Sequence, residues 1–305
     1  MRALRVTGAR PTNLATRTGP SHEPRPMSAR TAVVTGCNTG IGRVTAEALG
    51  RQGFHVILAN RSEERTRPVL DAIRAAGGAA DFARLDLGDL ESVRSCARSI
   101  VERGAPVPLL VNNAGLAGQR GHTKDGFELA FGTNHLGPYL FTRLLLPAIE
   151  AAAKESGHAR IVNVSSKAHY DARGFDWDAV RNPTASVTGL AEYAISKLSN
   201  VLFTRELARR VSPAVHVHAL HPGVVASDAW RSVPWGVRHL MKLFMLSNEQ
   251  GARTTLWCAT SPDVAEQTGR YYDTCKEKRP SALALDDSLA RTLWDRSAAW
   301  TGLTA

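Results

Sequence analysis

The chain has 305 residues, 43% hydrophobic and 22% charged, the composition of a globular protein with a sizeable core rather than a disordered or fibrous one. Half of its net charge of +10 lies in residues 1–30, which hold six Arg and one Glu; the rest is spread along the chain, so no nucleic-acid partner is expected. The four cysteines (Cys37, Cys96, Cys258 and Cys275) contain no CxxC pair, which argues against a disulfide framework or a metal site and fits a reducing compartment.

Residues 1–26 carry four Pro, almost no acid and no hydrophobic periodicity. They lack the apolar stretch of a secretory signal. A disordered tail, a start assigned upstream of Met27 and an Arg-rich transit peptide each fit, so residues 1–28 are set apart from a single domain over 29–305. No apolar run approaches the roughly 18 residues that span a bilayer. A cytoplasmic location is therefore expected, with peripheral membrane contact left open.

From Thr31 short apolar runs alternate with helical stretches. "TAVVTG" (31–36) predicts a buried strand, and 41–53 a helix ending at Gly53. A strand is predicted at 55–60, a helix at 62–78, and a strand at 80–86. A helix over 89–104 opens at the capping residue Asp89. Further strands are predicted at 108–115, 160–166 and 214–223, the last two separated by a helix holding "EYAISKLSN" (192–200). Non-alternating strands joined by helices predict a doubly wound α/β Rossmann fold. Its parallel sheet would have about seven strands, with helices on both faces.

Between the first strand and helix lies "TGCNTGIG" (35–42). Gly36, Gly40 and Gly42 permit a tight turn and close approach of a ligand. The main chain of Asn38, Thr39 and Ile41 and the positive end of the helix suit a phosphate. Such loops also occur without ligands. Tyr193 and Lys197 stand four apart on one helix and so share a face. An ammonium about 4 Å from a phenol is expected to lower its pKa by up to about three units, making Tyr193 a general acid/base.

Together these stretches resemble the short-chain dehydrogenase/reductase family, over roughly residues 31–275. The matching motifs are the T-G-x-x-x-G-x-G loop, "NNAG" (112–115), Asn134, Ser166, Y-x-x-x-K and "HPG" (221–223), in the family's order. "TGCNTGIGR" and "IVNVSSKAH" resemble its retinol-dehydrogenase-like branch. The resemblance implies a catalytic set of Asn134, Ser166, Tyr193 and Lys197. Ser166 would hold the substrate oxygen, Lys197 the nicotinamide ribose, and Asn134 a water-linked relay. Pro222 and Gly223 would fix the nicotinamide face, and Ser227 would meet a phosphate. Asp86, with Leu87 beside it, would meet the adenine, and Asn113 would lie near the adenosine ribose. Asp86 and Asn113 equally fit turn-forming roles.

After the second strand stand Asn60 and Arg61, where a carboxylate would select NAD(H). A guanidinium there suits a 2′-phosphate, so NADP(H) is expected; a solvated helix-start Arg61 is the alternative. Against the wider family, the resemblance marks residues 167–192 as an insertion that lengthens the gap from Ser166 to Tyr193 and is expected to shape the substrate entrance. The resemblance also implies a substrate lid around 226–250, and there Val237, Leu240, Met241 and Phe244 follow a helical stripe opposite Arg238 and Lys242. That stripe fits a self-packed lid, a wall for a lipophilic substrate, or an interfacial helix. The resulting expectation is interconversion of an alcohol and an aldehyde or ketone, retinal-like by branch resemblance. The alternatives are a non-catalytic NADP(H)-binding scaffold and a C=C reductase of a tetrapyrrole-like substrate. Monomer and homo-oligomer stay open.

Overall fold

The computed structural model describes residues 30–223 and 246–305. One sheet runs through it, in the order β3-β2-β1-β4-β5-β6-β7-β8. The strands are β1 (Thr31–Thr35), β2 (His55–Asn60), β3 (Ala79–Arg84), β4 (Leu109–Asn112), β5 (Ala159–Val164), β6 (Val215–His221), β7 (Arg270–Asp273) and β8 (Lys276–Glu277). All pair in parallel except β8, which folds back on β7. The turn between them places Thr274 and Cys275 at φ 51 and φ 56, the left-handed pair that a two-residue hairpin requires. The count exceeds the expected seven by this two-residue edge strand.

Apolar strand runs are split by alternation between two cores. In β1, Val33 faces the core beneath α3 (Leu90–Val101) and α5 (Gly137–Ser156). Its neighbours Ala32 and Val34 face the core shared by α1 (Gly40–Arg51) and α2 (Glu63–Ala75). β2 divides likewise, with Ile57 and Ala59 on one side and Val56 and Leu58 on the other. Both faces are therefore buried, as a parallel sheet demands. The cap expected at Asp89 is present: its carboxylate accepts from the Glu91 and Ser92 amides.

The chain enters α5 through a short turn, α4 (Leu129–Phe131), and a π-helical turn at Gly132–Leu136. Among the described residues the further α-helices are α6 (Leu190–Arg210), α7 (Asn248–Thr260) and α8 (Asp287–Trp300). Trp294 of α8 packs edge-on against Tyr139 of α5, ring centroids 5.2 Å apart. Of the lid expected around 226–250, residues 224–245 lie outside the described residues. Residues 248–250 begin α7, whose first turn is closed by a capping box between Ser247 and Gln250.

A buried polar ladder crosses the sheet. Asn112 donates to Thr142 of α5 (2.9 Å) and to Asn163 of β5 (2.8 Å); Asn163 donates to Thr204 of α6 (2.9 Å). These bonds replace water for groups that would otherwise be buried unpaired, and they fix α5 and α6 against the strand tips. No described helix is long and apolar enough to cross a membrane.

Candidate active site

The strand order reverses between β1 and β4, and the sequence motifs converge at the carboxyl ends of these strands, where such sheets bind ligands. Gly36 has φ +64, and a Cβ there would lie 2.6 Å from the Ala114 Cα. At Gly42 a Cβ would lie 2.3 Å from the Gly36 carbonyl oxygen and 2.4 Å from Asn113 Nδ2. Gly40, at φ +60, opens α1 directly after Thr39, followed by Ile41. No acid occupies the first turn of α1, so nothing there offsets its positive end.

Asn113 serves this loop. Its Nδ2 donates to the carbonyls of Thr35 (2.9 Å) and Gly36 (3.0 Å). The structure thus gives its side chain to the tethering role, beside the path expected for an adenosine ribose. Asn60 is turned inward: its Oδ1 accepts from the Cys37 amide at 2.8 Å. Asn38 follows in the same loop. The Asp86 carboxylate accepts from the Gly88 amide at 3.0 Å, the turn-forming role. The Leu87 side chain belongs to the core, and its carbonyl oxygen would lie 2.4 Å from any Cβ at Gly137.

Arg61 is exposed and forms no ion pair with a described residue. The β2–β3 register aligns Asn60 with Arg84, a second exposed guanidinium likewise without an acidic partner among the described residues. Sequence reasoning passed over Arg84 because pairing between strands is invisible in a single run. Glu63, which tempers the local charge, is held by Arg67 at 3.3 Å.

The catalytic candidates come together. α6 starts at Gly189 in the left-handed conformation, where a Cβ would lie 2.7 Å from the Gln119 carbonyl oxygen. That close approach lets Tyr193 and Lys197 reach the ends of β4 and β5. Lys197 is 3% exposed, and its Nζ donates to the Val164 carbonyl at 2.9 Å. It sits 5.6 Å from the Tyr193 ring centroid. Burial pulls the Lys197 ammonium down to about 8. A Cβ on Gly115 would lie 3.3 Å from both Lys197 Nζ and Asn134 Oδ1, so the glycine keeps this corner open.

Ser166 and its neighbour Ser165 have different partners. The Ser165 hydroxyl is buried and donates to the Lys197 carbonyl at 2.7 Å. Ser166 instead acts on Tyr193: burial raises the phenol's pKa, and hydrogen bonding to the Ser166 side chain draws it partly back. The expected depression is therefore corrected: in the protein alone, desolvation of the buried phenol raises its pKa.

Asn134 lies in the π-helical turn, a common deformation at functional sites. Its Oδ1 accepts from the Leu116 amide (2.9 Å) and its Nδ2 donates to the Leu116 carbonyl and Ser196 hydroxyl (2.9 Å each). Its side chain is thus occupied in fixing the segment after "NNAG". Gly223, after Pro222, has φ +91, and a Cβ would lie 2.3 Å from Leu246 Cδ1. Ser227 lies outside the described residues.

The insertion folds over α4 and α6 with Phe175 against Phe131 at 6.1 Å. It borders an open pocket of about 370 Å³ lined by Glu128, Phe131, Phe175, Val180 and Ile195 among others. Glu192 and Ile195 lie on the helix face away from Tyr193 and Lys197, so this cavity is separate from the cleft. The loop and the uncompensated helix end fit the phosphates of a dinucleotide. Among the described residues no His/Cys/Asp/Glu group could hold a metal.

The chain is similar to known proteins along most of its length. Residues 30–177 match the family model for short chain dehydrogenases. Human retinol dehydrogenase 13 is 39% identical over 288 residues, covering 90% of this chain and 86% of that protein. The crystal structure of an uncharacterized protein from Mycobacterium Paratuberculosis superposes with a TM-score of 0.71 at 31% identity, covering 91% of this chain and 95% of the other. An actinorhodin polyketide ketoreductase solved with NADPH gives 0.62 at 27% identity, covering 80% and 94%.

Proposed function

The chain belongs to the short-chain dehydrogenase/reductase family of oxidoreductases, and from that premise we propose that it uses NADP(H) to interconvert an alcohol and an aldehyde or ketone on a lipophilic substrate. Held at the loop of Gly36, Gly40 and Gly42 and beside Lys197, the nicotinamide cofactor would supply or accept the hydride at the carbonyl carbon. Ser166 orients the carbonyl oxygen toward Tyr193. In reduction Tyr193 donates its proton to that oxygen; in oxidation it takes the proton back. In the protein alone burial keeps the phenol protonated. Lys197 holds its charge beside the phenolate that donation leaves, and its bond to the Val164 carbonyl fixes its place.

The observation that carries this reading is the meeting of Ser166, Tyr193 and Lys197 beside a glycine loop on the same sheet edge. Arg61 and Arg84 support the choice of NADP(H), as does the NADPH of the related ketoreductase. The likeness to retinol dehydrogenase 13 supports a lipophilic carbonyl. Titration with NADPH and then NADH, followed by nicotinamide fluorescence, tests the cofactor. Tighter NADPH binding is expected. Binding of neither would sink the enzyme reading and leave a scaffold.

A further inference from the structure

We propose that His169 is a positioning residue that locks the Ser166 turn in register with Tyr193, an inference that rests on the reading of Ser166 and Tyr193 as the reacting pair. Ser166 caps the 3₁₀ turn Lys167–Asp171, accepting from the Ala168 amide at 3.2 Å. Residues three apart eclipse in such a turn, which brings His169 beneath Ser166. His169 Nδ1 lies 2.7 Å from the Ser166 carbonyl oxygen, and Nε2 lies 3.1 Å from the Ser281 amide nitrogen.

These two contacts determine the tautomer. An amide N–H only donates, so Nε2 is bare and Nδ1 carries the hydrogen given to Ser166. The imidazole thus ties the catalytic turn to the segment after β8. Tyr170 adds a second tie, donating to the Arg279 carbonyl at 2.6 Å. The ring is fully buried, 4.0 Å from Tyr170 and 4.7 Å from Tyr271, centroid to centroid. Nothing in the transfer of hydride or proton uses this histidine, yet its burial and double bonding leave it no freedom.

The clamp works only with a neutral ring. Protonation would set a second N–H against that of Ser281. Burial opposes it by lowering the His169 pKa, while Asp171 favours the charge and Lys278 opposes it. His221 lies near enough for His169 to disfavour its charge; Asp273 favours the His221 charge and Lys167 opposes it. The phenols Tyr170 and Tyr271 complete the surroundings. Acid therefore releases the turn, below the ordinary histidine range.

Three variants test this with steady-state kinetics on a lipophilic aldehyde and NADPH. His169→Asn puts an amide N–H where Nδ1 stands; His169→Gln places its amide at the Nε2 position; His169→Phe keeps only the volume. The Asn variant should retain kcat within about threefold, while the Gln and Phe variants should lose about tenfold to a hundredfold. NADPH affinity and KM should stay within about twofold throughout. The acid limb of kcat should be lost in the Asn variant. Wild-type kcat in the Phe variant, or parallel loss of kcat, NADPH affinity and thermal stability in all three, would overturn the proposal. Histidine-labelled protein gives a readout independent of turnover: the ¹⁵N–¹H spectrum should show Nδ1–H for His169, and Nε2–H would refute the clamp. Failure of the wild type to bind NADPH would instead sink the functional reading, with the tautomer still deciding the clamp.

Discussion

Replacing Lys197 by Met should stabilise the fold while removing the chemistry. The ammonium is buried and held at about 8, against about 10.4 in an unfolded chain. The unfolded state therefore binds the proton more strongly. Below the folded value the penalty is complete, about 3 kcal/mol, and it is relieved as pH rises toward the unfolded value. Met matches the length of the side chain but forfeits the 2.9 Å bond to the Val164 carbonyl, a loss of about 1 kcal/mol. The net gain is about 2 kcal/mol at about pH 7, shrinking by about 2 kcal/mol near pH 10. Urea unfolding of both proteins, followed by far-UV circular dichroism at the two pH values, measures it. Carbonyl reduction should fall in the same variant. A charge 5.6 Å from the phenol ring centroid favours the phenolate by about 3 kcal/mol at an effective dielectric of about 20, about two orders of magnitude in rate. A variant less stable at neutral pH, or a difference that does not change with pH, would refute the assignment of Lys197 as a strained buried cation.

Arg61→Ala should weaken NADPH binding about tenfold and leave NADH binding unchanged, with Arg84→Ala giving a smaller shift in the same direction; fluorescence titration of each variant with both cofactors measures this. Gly42→Ala should abolish NADPH binding and lower stability by about 1–3 kcal/mol, because its Cβ would lie 2.3 Å from the Gly36 carbonyl oxygen; thermal unfolding and the same titration read the two effects. Asn112→Leu should destabilise by about 1–3 kcal/mol, since it leaves Thr142 and the Asn163 carbonyl oxygen without their shared donor, as urea unfolding would record.

The glycine loop, the central strands and the Tyr193–Lys197 pair were legible in sequence because each depends on residues near one another. Valine- and isoleucine-rich runs bounded by turns announce buried strands. The exception among the parallel strands was β7, Arg270–Asp273: it is short, its two tyrosines point to opposite faces, and polar residues flank it. Residue roles were harder than residue positions. Asn60 and Asn113 stand where expected, yet their side chains bind the loop main chain, because loops carry unpaired amides and carbonyls that short polar side chains can satisfy. The direction of the Tyr193 shift depends on burial, which helical spacing does not report. His169 escaped notice because its second partner, Ser281, is 112 residues away.

The central claim is that Tyr193 transfers the proton when NADPH reduces a carbonyl. Its most direct test follows NADPH absorbance after adding a lipophilic aldehyde to the wild type and to Tyr193→Phe. The account predicts steady NADPH consumption by the wild type. The variant should bind NADPH with wild-type affinity and turn over at least about a hundredfold more slowly. Equal rates in the two proteins would contradict it.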